Sequence, residues 1–108
     1  MSDKPLRNHC TYRIKPGKEA EFLGYLEKHW PTLVKAGLAT DEPATVLRCT
    51  TKDKSVVFVE LFAWKTAQGP RIAHETPEVM QVWEPMGALC TDMEFNEYEP
   101  VKMAYASR

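Results

Sequence analysis

Few side chains in this sequence can move a proton near neutral pH. The three histidines are His9, His29 and His74. The unperturbed imidazole titrates close to that range, so each is a candidate base or ligand. His74 stands in the stretch RIAHETPEVMQVW, a short polar link after an apolar run that ends at Trp64. Glu60 is the odd residue of that run. It lies between Phe58 and Phe62, and strand parity puts its carboxylate on their face. There it needs a partner, and Arg48, His9 and Arg13 are the candidates by position. Two readings stay open for each group. His74 is a general base, or a histidine held by a hydrogen bond at a helix end. Glu60 is a proton acceptor for a phenolic hydroxyl, or half of a structural ion pair.

Other chemistries lack their residues. The three cysteines, Cys10, Cys49 and Cys90, are odd in number and form no CxxC pair. They are expected as free, buried, small hydrophobes in or beside strands. No His-x-His or His-Glu-x-x-His spacing occurs, so no protein-built metal centre is expected. The sequence has no phosphate loop, no serine elbow and no dinucleotide fingerprint. A net charge of −1 with no basic stripe argues against nucleic acid and anionic membrane as partners. No apolar run is long enough to span a bilayer. The start, MSDKPLRNHC, has no apolar segment after its charges, and a cytoplasmic location is the expectation.

The elements that must position these groups can be read in order. At 108 residues one domain is expected, 1–108, with 1–5 and 100–108 as loose arms. Leu6 to Lys15 alternates with period two, with Asn8, Cys10, Tyr12 and Ile14 on one side. Pro16-Gly17 is a turn. From about Lys18 a helix carries Phe22, Leu23, Leu26, Trp30, Leu33 and Val34 as its apolar stripe, bends at Pro31 and is capped by Gly37. Thr45 to Thr51 and Ser55 to Trp64 read as a hairpin. Thr66 caps a turn, Pro70 opens a helical piece ending near His74, and Thr76-Pro77-Glu78 starts another. That helix buries Val79, Val82, Trp83 and Met86 and ends or bends at Pro85 and Gly87. Thr91 to Tyr98 is a last strand. The order β-α-β-β-α-β predicts an α+β, ferredoxin-like fold with an antiparallel sheet and both helices on one face. The third strand is apolar on both faces, so a second copy of the chain is expected against the uncovered one.

With that order, the pieces IKPGKEAEFLGYLEKHWPTL and VVFVELFAWKTAQGPRIAHETPEVMQVWEPM resemble the antibiotic biosynthesis monooxygenase (ABM) group of dimeric α/β-barrel proteins. The resemblance implies a homodimer with a pocket between sheet and helices in each subunit. It also implies cofactor-independent oxygenation of a small hydrophobic phenol or quinol. In that reading His74, assisted by Glu60, deprotonates the substrate, which sits among Trp64, Phe62, Trp83, Tyr12 and Asn8. No cofactor is then required. The haem-degrading branch of the group implies an alternative, with His74 as axial ligand, Trp64 beside it and Asn8 as the first-strand asparagine. A third reading is a non-catalytic dimer that binds a small molecule in the same hollow.

Overall fold

The computed structural model describes residues 4–107. Its strands are β1 (Leu6–Ile14), β2 (Thr45–Thr50), β3 (Val56–Trp64) and β4 (Cys90–Glu97). Its helices are α1 (Glu19–Lys35), α2 (Gly69–His74) and α3 (Pro77–Ala88), and a short 3₁₀ turn, Ala104–Ser107, follows in the tail. The sheet is antiparallel in the order β2-β3-β1-β4. This is the ferredoxin-like α+β arrangement.

Register explains which residues meet. Cys10 lies opposite Glu60 and Tyr12 opposite Phe58 on β3, while Phe95 and Met93 of β4 flank them from the other side. Side chains of one parity therefore form one apolar face. Cys10, Tyr12, Ile14, Phe58, Phe62 and Trp64 pack there with Phe22, Leu26 and Leu33 of α1 and Val79, Val82 and Met86 of α3. The opposite parity of β3 (Val57, Val59, Leu61, Ala63) is absent from that cluster. The molecule is only 18 Å through its thinnest axis, which leaves room for one sheet and one helical layer.

Local signals set the helix ends. Gly37 (φ 78°) adopts the left-handed conformation that ends α1. Its N–H and that of Leu38 then bond to the carbonyls of Val34 and Leu33, a Schellman closure. Pro31 and Pro85 sit inside α1 and α3, and neither helix stops at its proline. Each proline withholds a donor from the carbonyl four residues earlier. Those carbonyls belong to Glu27 and Gln81, both exposed residues on the solvent side of their helices.

Three expectations need correction. Thr76 precedes α3 but does not cap it. Its hydroxyl donates instead to the Ile72 carbonyl at 2.7 Å, closing the end of α2. Cys49 is exposed, because β2 is an edge strand, whereas Cys10 and Cys90 are buried. Arg48, a candidate partner for Glu60, lies on the surface and pairs with Glu19 at 2.5 and 2.9 Å.

Candidate active site

Sheet and helices do not close completely on each other. Between them lies a cavity of about 330 Å³, lined chiefly by apolar groups. Phe62, Trp64 and Trp83 form its aromatic wall, Asn8, Cys10 and Tyr12 come from β1, and His74 closes the α2 side. Thus Asn8, Tyr12, Phe62, Trp64, His74 and Trp83 line one hollow. Glu60 does not line it.

Trp64 is held there by its surroundings. Its backbone bridges to Ala39, and Lys65 N–H bonds to the Leu38 carbonyl at 2.8 Å, tying the end of β3 to the chain leaving α1. Its ring lies flat enough on α2 that a Cβ at Gly69 would come within 2.5 Å of Trp64 Cε3. Only glycine lets the first turn of α2 pass that close. The Trp64 ring meets Phe62 and Trp83 edge-on, with centroids 5.1 and 6.3 Å apart. Its buried indole N–H has no acceptor among the described residues.

The polar core of the site lies behind the wall. Glu60 is 1% exposed. Tyr12 donates its hydroxyl to Glu60 Oε1 at 2.7 Å, and His29 Nδ1 lies 2.9 Å from both carboxylate oxygens. On the other side of the imidazole, Trp83 Nε1–H donates to His29 Nε2 at 2.8 Å. An indole N–H can only donate, so Nε2 carries no proton. The proton of the neutral ring is therefore on Nδ1, and His29 donates it to Glu60. The partners of this carboxylate are Tyr12 and His29; His9 and Arg13 lie on the opposite face of β1.

That carboxylate reshapes its neighbours. Burial, and next the Glu60 charge, hold the Tyr12 hydroxyl well above its ordinary range, so it stays a donor. The same two causes push the Cys10 thiol up to about 12. Asn8 Nδ2 donates to Cys10 Sγ at 3.3 Å. At neutral pH Cys10 is a thiol, with neither the nucleophilicity nor the metal affinity of a thiolate.

His74 is different. It is exposed at the rim of the cavity, with its ring edge-on to Trp83 at 5.0 Å. Trp83 thus touches both imidazoles, that of His29 at 6.2 Å between centroids.

Sequence reasoning counted His29 among the candidate bases but missed its bond to Glu60. The signal was present. Phe22, Leu26, His29 and Leu33 fall at spacings of four, three and four, and all are buried on α1. A histidine on a core stripe needs a polar partner, and Glu60 was the one carboxylate inside the facing strand surface, with Glu97 of the same parity exposed at its end.

The cavity does not suit haem. A haem carries two propionates that need cationic or multiple donor partners, and the lining holds Glu84 and neither lysine nor arginine. Among the described residues, no group of three potential ligands could hold a metal ion.

No protein-family model matches the sequence, and no curated protein matches it. Solved structures do. A candidate antibiotic biosynthesis monooxygenase from Bordetella bronchiseptica superposes with a TM-score of 0.73 at 12% identity, covering 92% of this chain and 99% of that one. SnoaB, a cofactor-independent oxygenase from Streptomyces nogalater, gives 0.67 at 19% identity, covering 95% and 98%. A conserved protein from Methanosarcina mazei Go1 gives 0.67 at 14%, covering 88% and 91%. This chain has their fold. At such identities the architecture is shared and the chemistry must be argued from the site.

Proposed function

We propose that this chain is an ABM-type, cofactor-independent monooxygenase acting on a small, flat, hydroxylated aromatic. The observation that carries the reading is the cavity: about 330 Å³, walled by Phe62, Trp64 and Trp83, with the imidazoles of His29 and His74 in its lining. That volume is at the low end for ligand pockets and suits a phenol or quinol of one to three rings. Aromatic walls stack on such a ligand.

The chemistry follows from an electron-rich anion. Loss of the hydroxyl proton gives a phenolate, which passes one electron to dioxygen. Superoxide and the ring radical join at a ring carbon, and the hydroperoxide loses water to leave a quinone. One oxygen atom ends in the carbonyl and one in water; the substrate gives up its hydroxyl proton and a ring hydrogen. The protein contributes orientation, water exclusion and proton transfer. Glu60 supports this from behind the wall through its hydrogen bonds. His74, at the rim, exchanges protons with solvent.

A homodimer belongs to this reading. The apolar residues of the uncovered face, Val59 and Leu61 with exposed Leu47, would be covered by a second copy. Oxygen consumption with a panel of phenols and quinols tests the proposal. His74→Ala is expected to slow turnover at least tenfold, about 1.4 kcal/mol in the barrier, without unfolding the chain. Binding without oxygen uptake by any member of the panel would leave a ligand-binding protein.

A further inference from the structure

We propose that His29 takes the substrate's hydroxyl proton directly, with Glu60 as its orienting carboxylate and Trp83 as the cap that substrate displaces. The inference rests on the reading above, since it needs a hydroxylated aromatic in the cavity. His29, Glu60, Tyr12 and Trp83 come from α1, β3, β1 and α3, so four separate elements converge on this imidazole.

Three observations point the same way. Glu60 is sealed off, so it acts on a ligand only through a group that reaches the cavity. Tyr12 and His29 both touch the carboxylate and the hollow, but the Tyr12 hydroxyl already donates its one proton to Glu60, so His29 is the group with a basic nitrogen to offer. Its one acceptor, Nε2, is held by an indole whose residue is half-buried and itself part of the cavity wall. A carboxylate on Nδ1–H with Nε2 aimed at a substrate site is the arrangement of an oriented general base.

The exchange keeps Nε2 paired, and the displaced Trp83 N–H turns to the substrate oxygen or to solvent. A substrate O–H takes the place of the Trp83 N–H as donor to Nε2, so the buried acceptor keeps a partner throughout. The O–H bond then breaks, the electron pair stays on oxygen and the proton moves to Nε2. The imidazolium stands against the Glu60 carboxylate, and the total charge of the site is unchanged. The other groups facing His29 do not compete. Tyr12 and Cys10 on β1 keep their protons, Glu84 of α3 is exposed, and His74 of α2 is exposed with its ring against Trp83.

The test uses 4-nitrophenol, whose phenolate is coloured, with the full chain labelled with ¹⁵N at histidine. Free protein is expected to show His29 protonated on Nδ1 alone. Binding should protonate Nε2 as the phenolate band appears. In Glu60→Gln, which keeps volume and removes charge, the ionisation midpoint of bound phenol should rise by about one pH unit, or tenfold. Trp83→Phe should tighten binding several-fold by freeing Nε2. A proton arriving on His74 instead, or a phenolate band indifferent to Glu60→Gln, overturns the assignment and spares the oxygenase reading. The ¹⁵N measurement on the unsubstituted protein decides even where a variant fails to fold. Absence of binding by any phenol removes the aromatic-substrate reading and this inference with it.

Discussion

The two faces of the one sheet make opposite use of the same strands. On the helix side, β1 and β3 present Cys10, Tyr12, Phe58, Glu60, Phe62 and Trp64, each at most 5% exposed. On the other side the same strands present Arg7, His9, Thr11 and Arg13 beside Val57, Val59, Leu61 and Ala63. The first face is over-determined: every large ring touches another, and its buried charge has both donors in place. The second is half polar and half apolar, and no helix among the described residues packs on it. One face therefore holds the site, and the other is free to be an interface. Substitutions should separate the two roles.

The largest effect is expected at Phe22. It is fully buried, its ring 5.1 Å from Tyr12 and 5.7 Å from Phe58. Phe22→Ala empties the space beneath the strands that hold Glu60, and should cost about 3–5 kcal/mol in denaturant unfolding. A loss below about 1 kcal/mol would mean that this face tolerates cavities like a surface, and the contrast between the faces would fail.

Gly69→Ala should come next, by overpacking. The new methyl would meet Trp64 at 2.5 Å, against the rigid end of β3. About 1–3 kcal/mol of destabilisation is expected. The indole must also shift, so Trp64 fluorescence should change and binding of aromatic ligands should weaken. Unchanged binding would separate the indole from the ligand site.

How much of this was legible depended on the range of the interaction. Alternation gave the strands, three-four spacing gave the helices, and their order gave the topology, because all three are local or nearly so. His74, Trp64, Phe62, Trp83, Tyr12 and Asn8 could be gathered around one hollow because parity and element order place them on one side. The partners of Glu60 could not be chosen that way. Arg48 and Arg13 attract by charge on paper, yet Arg48 sits on an edge strand within reach of Glu19, and Arg13 points to the other face. What satisfied the carboxylate was a neutral tyrosine and a neutral imidazole. Their approach depends on how α1 lies over the sheet, which no strand pattern encodes. The failed Thr76 cap has a similar origin: two helices meet there, and one hydroxyl could serve only one of them.

A pH experiment reads the covered face in another way. Burial and the Glu60 charge raise Cys10 from 9.0 to about 12. A folded-state value above the unfolded one means that the stabilisation is complete below pH 9, and is lost as pH climbs towards 12. Stability should therefore fall across that alkaline window, with the buried Tyr12, raised for the same reasons, adding to the slope. Cys10→Ala should flatten part of the decline, seen as a smaller change in the unfolding midpoint between the two pH values. An identical decline in the variant would mean that the thiol is not held in the environment described.

The smallest effect on the fold is expected on the open face, where Leu47 is 50% exposed on an edge strand. Within a single chain, Leu47→Glu removes little packing, and its effect should stay within about 0.5 kcal/mol. Its effect on association should be far larger, because a carboxylate facing its own symmetry mate across an apolar patch is both desolvated and repelled. Sedimentation is the measurement that separates the two effects. The proposed dimer should dissociate in the variant at concentrations where the unsubstituted chain stays paired, while a chemical unfolding curve of the dissociated chain should show little intrinsic loss. If the variant instead stays dimeric, the apolar half of this face is not where copies meet. If it unfolds outright, the face is not independent of the core behind it, and the division of labour between the two sides of the sheet has to be abandoned.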